Sequence, residues 1–121
     1  MAKKINLNDY LGHSMDCTCG KEHKTNLKIV DIDKDAVSRL PKHIEALGYK
    51  KPFLVADVNT WAAAGALAAE KLDAAGISYK KYIFDEKELT PDEKTLGSLM
   101  MAFPRDCDVI VAVGSGTLND L

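Results

Sequence analysis

The sequence lacks the features that mark membrane and secreted proteins. It has no apolar run of the roughly 18 to 20 residues that a membrane span needs, and residues 1–8 are polar, without the hydrophobic core of a signal peptide. Its three cysteines are an odd number in a chain without a secretion signal, which argues against a disulfide framework. We therefore expect a cytoplasmic protein with reduced thiols and no membrane partner.

An excess of charge of one sign is also missing. The formal net charge is -2, from 16 basic and 18 acidic residues scattered among one another. Such a surface has no single-sign field to recruit a polyanion. The Tyr and Lys residues at positions 79–82 alternate as in a strand with one polar face, so we expect no nucleic-acid partner.

The remaining composition is that of an ordinary globular domain. The 121 residues are 46% hydrophobic and 28% charged, without repeats, low-complexity tracts or linkers. After a polar stretch over residues 3–26, residues 27–32 favour a short strand. A helix is then predicted from an N-cap at Asp33 to a stop at Gly48, with Pro41 kinking it or dividing it in two.

The rest of the chain predicts a β-α-β-α-β series. Strands are expected over residues 53–56, 79–84 and 108–113, and the first and last of these are apolar throughout, as in a sheet interior. Thr60 is the expected N-cap of a helix over residues 61–75 that buries a stripe of small side chains (Ala64, Ala68, Leu72, Ala75) and stops at Gly76. A capping box over residues 90–93, with Pro91 at the first helical position, predicts a second helix, whose apolar face comprises Leu96, Leu99, Met100 and Phe103.

This alternation predicts an α/β fold, a Rossmann-like domain with a parallel sheet and right-handed crossovers. Ligands of such sheets bind outside the carboxyl ends of the strands, which directs attention to Asp57 and Gly114. Residues 117–121 begin the next helix, and the sequence ends there. We therefore expect residues 1–121 to be the N-terminal part of a larger dinucleotide-binding domain.

The turn after the last strand has the composition of an anion-binding turn. Its glycines allow close approach of a phosphate, and the N–H groups at the start of the following helix are donors for an anion. It is neither a G-x-G-x-x-G fingerprint nor a P-loop, so a structural strand-to-helix turn is the alternative interpretation. The candidate cofactor residues in this turn are Gly114, Ser115, Gly116, Thr117, Leu118, Asn119 and Asp120.

Asp57 has two interpretations as well. It can accept hydrogen bonds from the hydroxyls of an adenine ribose, or it can form the start of a helix together with Asn59 and Thr60. No arrangement of residues nominates a general acid, a general base or a nucleophile. We therefore assign no catalytic residue.

The segment C-T-C-G-K-E-H supplies two thiols and an imidazole, from Cys17, Cys19 and His23. These ligand types suit zinc, but the spacing is not a standard structural zinc pattern and a fourth ligand is missing. A reduced β-turn segment is the alternative that we favour. Cys107 is interpreted as a small core residue.

Four segments resemble those of NAD(P)-dependent sn-glycerol-1-phosphate dehydrogenases, which belong to the iron-dependent alcohol dehydrogenase and dehydroquinate synthase superfamily. They are A-D-V-N-T at residues 56–60, the A-A-A-G that follows, T-P-D-E-K-T-L at residues 90–96 and A-V-G-S-G-T-L-N-D-L at residues 112–121. The C-x-C-G-x-x-H segment is similar to that of the bacterial branch. The resemblance covers essentially the whole chain in the correct order.

The resemblance implies an oxidoreductase that uses NAD or NADP and a divalent metal (zinc, nickel or iron). Asp57 would contact the adenine ribose, residues 114–119 the pyrophosphate and neighbouring nucleotide, and Asp120 the nicotinamide end. The metal would be held by a C-terminal helical domain beyond Leu121, so the 121-residue chain alone should be inactive. The implied small-molecule reaction interconverts dihydroxyacetone phosphate and sn-glycerol 1-phosphate.

Two other functions stay open, namely a glycerol dehydrogenase of the same superfamily and a non-catalytic nucleotide-binding module. We also expect a homo-oligomer, because the apolar strand over residues 108–113 would otherwise leave an exposed edge or face.

Overall fold

A computed structural model describes residues 6–12, 14–15 and 17–121. Part of the polar start over residues 1–8 lies outside these described residues. The chain divides into two compact units, Met1–Lys34 and Asp35–Leu121, and each is described by itself. No helix in the described part of the chain is long and apolar enough to cross a membrane.

The N-terminal unit is a small hairpin with little regular structure. A 3-10 helix, Leu7–Tyr10, precedes two antiparallel strands, β1 (Ser14–Met15) and β2 (His23–Lys24). The strand predicted over residues 27–32 is wrong, because this segment has no strand to pair with and its backbone is irregular. Ile32 is accordingly 80% exposed.

The second unit contains a parallel three-stranded sheet, which confirms the predicted α/β class. Its strands are β3 (Pro52–Asp57), β4 (Lys80–Phe84) and β5 (Val109–Ala112), in the order β4-β3-β5. In the register, Val55 lies opposite Tyr82 on one side and Ala112 on the other. The central strand β3 is buried on both faces, as its apolar sequence predicts.

Helices cover both faces of this sheet. One face, around Leu54, packs against α1 (Leu40–Ala46) and α3 (Ala66–Ala74), and α3 is preceded by the short helix α2 (Val58–Thr60) and a π-helical turn (Trp61–Gly65). The other face, around Phe53 and Val55, packs against α4 (Glu93–Ala102) and α5 (Gly116–Asn119). The domain is therefore doubly wound, as in Rossmann-like folds.

The first helical region begins later than predicted. A 3-10 helix, Ala36–Arg39, precedes α1, so Asp33 is not the N-cap. Pro41 lies in the first turn of α1, where its missing N–H costs nothing, and this explains the division into two short helices. Gly48 ends the helix with φ +83° and donates its N–H to the Glu45 carbonyl, as predicted.

Two predicted caps are wrong by a few residues. Asp57, and not Thr60, is the N-cap of α2, and Asp92, and not Thr90, is the N-cap of α4. The Asp92 carboxylate accepts the Thr95 N–H at 2.8 Å, which holds the pKa of that carboxyl below its usual value. In both cases an Asp two or three residues from the predicted Thr is the N-cap, because a carboxylate is the stronger acceptor for the N–H groups of the first turn.

Some side chains predicted to be buried are exposed. On α4, Leu99 is buried, but Met100 is 69% exposed and Phe103 is 40% exposed. Strand β5 was expected in a sheet interior, yet it is an edge strand in the described chain and its Ile110 is 51% exposed. In the small-residue stripe, Ala68 and Leu72 are buried whereas Ala75 is exposed. Ile110 on β5, Met100 on α4 and Phe103 at the end of α4 thus leave apolar surface that nothing in the described chain covers.

Candidate functional site

The strand order brings the carboxyl ends of β3 and β5 side by side, and we call the region between these two strand ends the crevice. Strand β3 leads into helices on the Leu54 face, whereas β5 leads into α5, whose Leu118 packs on the Phe53 face. The two strands are direct neighbours in the sheet. Adjacent parallel strands whose helices leave toward opposite faces form a topological switch point, where α/β sheets bind their ligands.

Asp57 lies at the β3 side of this crevice and starts the helix that follows. Its Oδ1 accepts the N–H groups of Asn59 and Thr60, both at 2.8 Å, and its own N–H donates to Thr60 Oγ1 at 3.0 Å. This reciprocal pair is a capping box, which is the helix-forming role that the sequence left open. No described residue donates to Oδ2, so this oxygen is available to a ligand.

Gly114 lies at the β5 side and is in close contact with the β3 side. A Cβ placed on Gly114 would lie 2.4 Å from Leu118 Cδ1 and 3.2 Å from Thr60 Cγ2. Its φ is not positive, so glycine is needed here for space and not for backbone conformation. Thr60, which the sequence suggested only as a cap, therefore packs against one predicted site residue and hydrogen-bonds the other.

The predicted turn residues differ in what they can offer to a ligand. Ser115, the N-cap of α5, makes no side-chain hydrogen bond to the helix, and nothing lies within 4 Å of a Cβ placed on Gly116. Leu118 is 5% exposed and packs in the core, so only its backbone can reach a ligand. The remaining three are Thr117, which is half-buried, and Asn119 and Asp120, which are exposed.

The α5 hydrogen bonds show which donors the helix itself uses. The N–H groups of Asn119 and Asp120 bond to the carbonyls of Ser115 (3.3 Å) and Gly116 (2.8 Å). The N–H groups of Gly116 and Thr117 have no carbonyl partner within the helix, as is the case for the first N–H groups of any helix. The crevice thus combines an exposed turn that can donate hydrogen bonds with a carboxylate oxygen that can accept them.

The crevice does not supply a metal site. Among the described residues, one group of three His, Cys, Asp or Glu side chains has its donor atoms within reach of a common ion, and it is Cys17, Cys19 and His23 of the N-terminal unit. All three side chains are exposed. Hydrogen bonds from Cys19, first its backbone and then its side chain, hold the pKa of the Cys17 thiol below its usual value.

Acidic side chains make hydrogen bonds and an ion pair at the opposite end of the sheet. The Asp108 carboxylate accepts the N–H groups of Lys50 and Lys51, both at 2.9 Å, and Asp106 pairs with Lys80 at 2.9 Å. Burial raises the pKa of the nearby Cys107 thiol, a half-buried residue that packs against the core as predicted. A cavity of about 590 Å³ near Tyr79 and Lys80 lies at this end, away from the crevice.

Comparison with known proteins identifies relatives. A family model described as iron-containing alcohol dehydrogenase matches residues 31–121. A glycerol-1-phosphate dehydrogenase [NAD(P)+] of Halalkalibacterium halodurans is 36% identical over 110 residues, which are 88% of this chain and 28% of the relative. The enzyme of the same name from Bacillus velezensis is 36% identical over 93 residues, or 74% of this chain and 24% of the relative.

A third relative with this name, from Geobacillus stearothermophilus, is 26% identical over 119 residues, which are 95% of this chain and 30% of the relative. The chain thus spans less than a third of the length of the curated relatives that it matches.

Proposed function

Because the chain belongs to the iron-containing alcohol dehydrogenase family, we propose that it forms part of the NAD(P) site of a glycerol-1-phosphate dehydrogenase. The reaction would interconvert dihydroxyacetone phosphate and sn-glycerol 1-phosphate. The observation that carries this proposal is the meeting of Asp57 and the Gly114 turn at the switch point between β3 and β5. The relatives' shared name supports the substrate.

The proposed roles follow from the donors and acceptors of the crevice. The N–H groups of Gly116 and Thr117, together with the Ser115 hydroxyl, would donate to the pyrophosphate of the cofactor. Gly116 leaves open space in which a phosphate can approach the backbone. Asp57 Oδ2 would accept from the hydroxyls of the adenine ribose, while Oδ1 keeps the helix in place.

The other predicted residues have more limited roles in this proposal. Gly114 lets Leu118 and Thr60 pack closely, which fixes the two sides of the crevice. Asn119 and Asp120 are exposed, and in this proposal they would lie beyond the phosphate position, toward the nicotinamide. When bound, the nicotinamide supplies the hydride, and the described residues hold and orient the cofactor. No described residue of the second unit belongs to a metal-ligand group, so we derive no step through a metal.

The ribose contact can be tested by separating the two roles of Asp57. Serine is also a good N-cap, so Asp57→Ser keeps the helix start but is too short to reach the ribose and carries no charge. The carboxylate repels the 2′-phosphate of NADP, so we expect NAD to be preferred in the unmodified chain. We expect the ratio of NADP affinity to NAD affinity to rise by about tenfold in the serine variant, which corresponds to about 1.4 kcal/mol.

Isothermal titration of the protein that carries this chain with each nucleotide measures this ratio, and Asp57→Ala is the matched variant that loses the cap as well. An unchanged ratio in both variants, with the fold intact, would remove Asp57 from the cofactor site. The substrate is tested separately in the protein that carries this chain, by NADH oxidation with dihydroxyacetone phosphate. Turnover of glycerol without turnover of dihydroxyacetone phosphate would instead indicate a glycerol dehydrogenase.

A further inference from the structure

The N-terminal hairpin brings together three side chains that the proposed dehydrogenase chemistry does not use. Cys19 Sγ lies 3.0 Å from His23 Nε2, and the donor atoms of Cys17, Cys19 and His23 all lie within 4.8 Å of one another. In a tetrahedral zinc site, bond lengths of about 2.3 Å to sulfur and about 2.0 Å to nitrogen separate the ligand atoms by about 3.6 Å. Shifts of about 1 Å would therefore complete the arrangement.

The backbone holds the two cysteines in one tight turn just before β2. Gly20 donates its N–H to the Cys17 carbonyl at 3.3 Å, which closes a turn that contains both Cys17 and Cys19. Gly20 has φ +78°, a conformation that a residue with a side chain rarely adopts. His23 is the first residue of β2, so strand pairing fixes its position relative to the turn.

The described part of the hairpin has little regular pairing and little burial to stabilise it. Its strands β1 and β2 pair at Ser14↔Lys24 and Met15↔His23, and no residue of this unit whose side chain the structure describes is buried. A two-stranded hairpin of this size is at best marginally stable in water, and small units without a core usually need a disulfide or a metal. Cys17 and Cys19 are both free thiols.

We propose that Cys17, Cys19 and His23 bind a thiophilic divalent cation of the zinc class, which stabilises the N-terminal hairpin. Two thiolates and an imidazole are ligands that zinc prefers over the oxygen-seeking cations. The fourth position is left to water or to another donor, since the group of described side chains with ligand atoms close to one another comprises these three residues. The three proposed ligands belong to the N-terminal unit and include no residue assigned to the cofactor, so the proposal does not depend on the proposed function.

The test is a metal titration of the purified chain, prepared reduced and stripped with a chelator. Zinc should bind at one equivalent, and cobalt should give the near-ultraviolet band of sulfur-to-cobalt charge transfer. In hydrogen exchange, zinc should slow the amides of residues 14–24 if the ion stabilises the hairpin. The Cys17→Ser, Cys19→Ser double variant should lose all three signals.

Two single variants make the test specific. His23→Asn should raise the zinc Kd by about tenfold or more, since loss of a direct ligand costs at least as much as loss of an outer partner. Cys107→Ala removes the remaining cysteine, which lies in the other unit, and should change neither the stoichiometry nor the cobalt band.

Other results would overturn the proposal. Negligible zinc in the reduced wild-type chain would show that the segment is only a turn. If Cys17 and Cys19 then oxidised to a disulfide, the segment would be a dithiol pair and not a metal site. Equal zinc content in the double variant would place the ion elsewhere. Zinc binding without protection of residues 14–24 would refute the stabilising role.

Discussion

Substitutions of Gly114 and Gly116 should separate the packing of the phosphate turn from its proposed contact with the cofactor. In Gly114→Ala, the new Cβ would lie 2.4 Å from Leu118 Cδ1, which is closer than real contacts allow. Leu118 is 5% exposed and packs against Phe53 and Val55, so it cannot move without disturbing the core. Such overpacking typically costs about 1 to 3 kcal/mol.

A smaller effect opposes this cost. Alanine restricts the unfolded chain, which is worth about 0.4 to 1 kcal/mol where the native backbone tolerates it, and the φ of Gly114 is not positive. With mid-range values of about 2 kcal/mol for the overpacking and about 0.7 kcal/mol for the opposing effect, the net loss of unfolding free energy should be about 1.3 kcal/mol. For a domain of this size, each kcal/mol lowers Tm by roughly 4 °C, so a decrease of roughly 5 °C is expected.

Gly116→Ala is the matched control for stability. Nothing lies within 4 Å of its Cβ, and it is the first residue of α5, so Tm should stay unchanged or rise slightly. If a phosphate contacts this backbone, however, the same Cβ should weaken NAD binding by about tenfold or more, or about 1.4 kcal/mol. Thermal unfolding and isothermal titration of both variants provide the two readouts.

Two results would contradict these expectations. A Gly114→Ala variant as stable as the unmodified chain would show that Leu118 relaxes freely and that glycine is not required for packing. A Gly116→Ala variant that binds NAD normally would show that the phosphate does not approach this turn. Each variant adds one methyl group, and the two positions are two residues apart. A general disturbance of the turn would therefore change stability and NAD binding in both variants, and not stability in one and NAD binding in the other.

Three further predictions concern the whole chain. Hydrogen bonds from the Lys50 and then the Lys51 backbone lower the pKa of Asp108 below its ordinary 3.8. The stability that the ionised Asp108 carboxylate gives to the folded chain is therefore complete above about pH 4 and is lost as the pH falls through the folded-state pKa. Asp108→Asn should therefore flatten the decline of Tm in acid. The chain should self-associate through its apolar face beside β5, and Ile110→Lys should shift light scattering toward the monomer. Residues 1–121 alone should not oxidise NADH with dihydroxyacetone phosphate, and steady turnover by the pure chain would refute this.

Local patterns in the sequence were enough to predict most elements of the sheet. The apolar run that forms β3 and the glycines that end two helices, Gly48 and Gly76, act over a few residues, so their outcome can be read locally. Helix starts were less accurate because several capping residues compete. Asp57 and Thr60 both suit an N-cap, and the structure uses both, with Asp57 as the cap and Thr60 as its reciprocal partner.

Burial and strand order were beyond such local patterns. The strand predicted over residues 27–32 has suitable side chains, but its formation depends on a partner strand, which the described chain does not provide. The order β4-β3-β5 depends on how the α4 crossover passes over β3, and no single segment encodes it. The residues of the candidate site were therefore predictable as separate strand ends, whereas their meeting at a switch point was not.

The capping role of Asp57 strengthens the case for its proposed ligand role. A carboxylate that only bound a ribose would be free to rotate, whereas here Oδ1 is held by two backbone N–H groups at 2.8 Å. Holding one oxygen fixes the direction of the other, so Oδ2 is oriented before a ligand arrives and less rotational entropy is lost on binding. The two interpretations that the sequence presented as alternatives are thus compatible. A loss of stability in Asp57→Ala therefore does not argue against ribose binding, and only the serine variant, which keeps the cap, isolates the contribution of Oδ2.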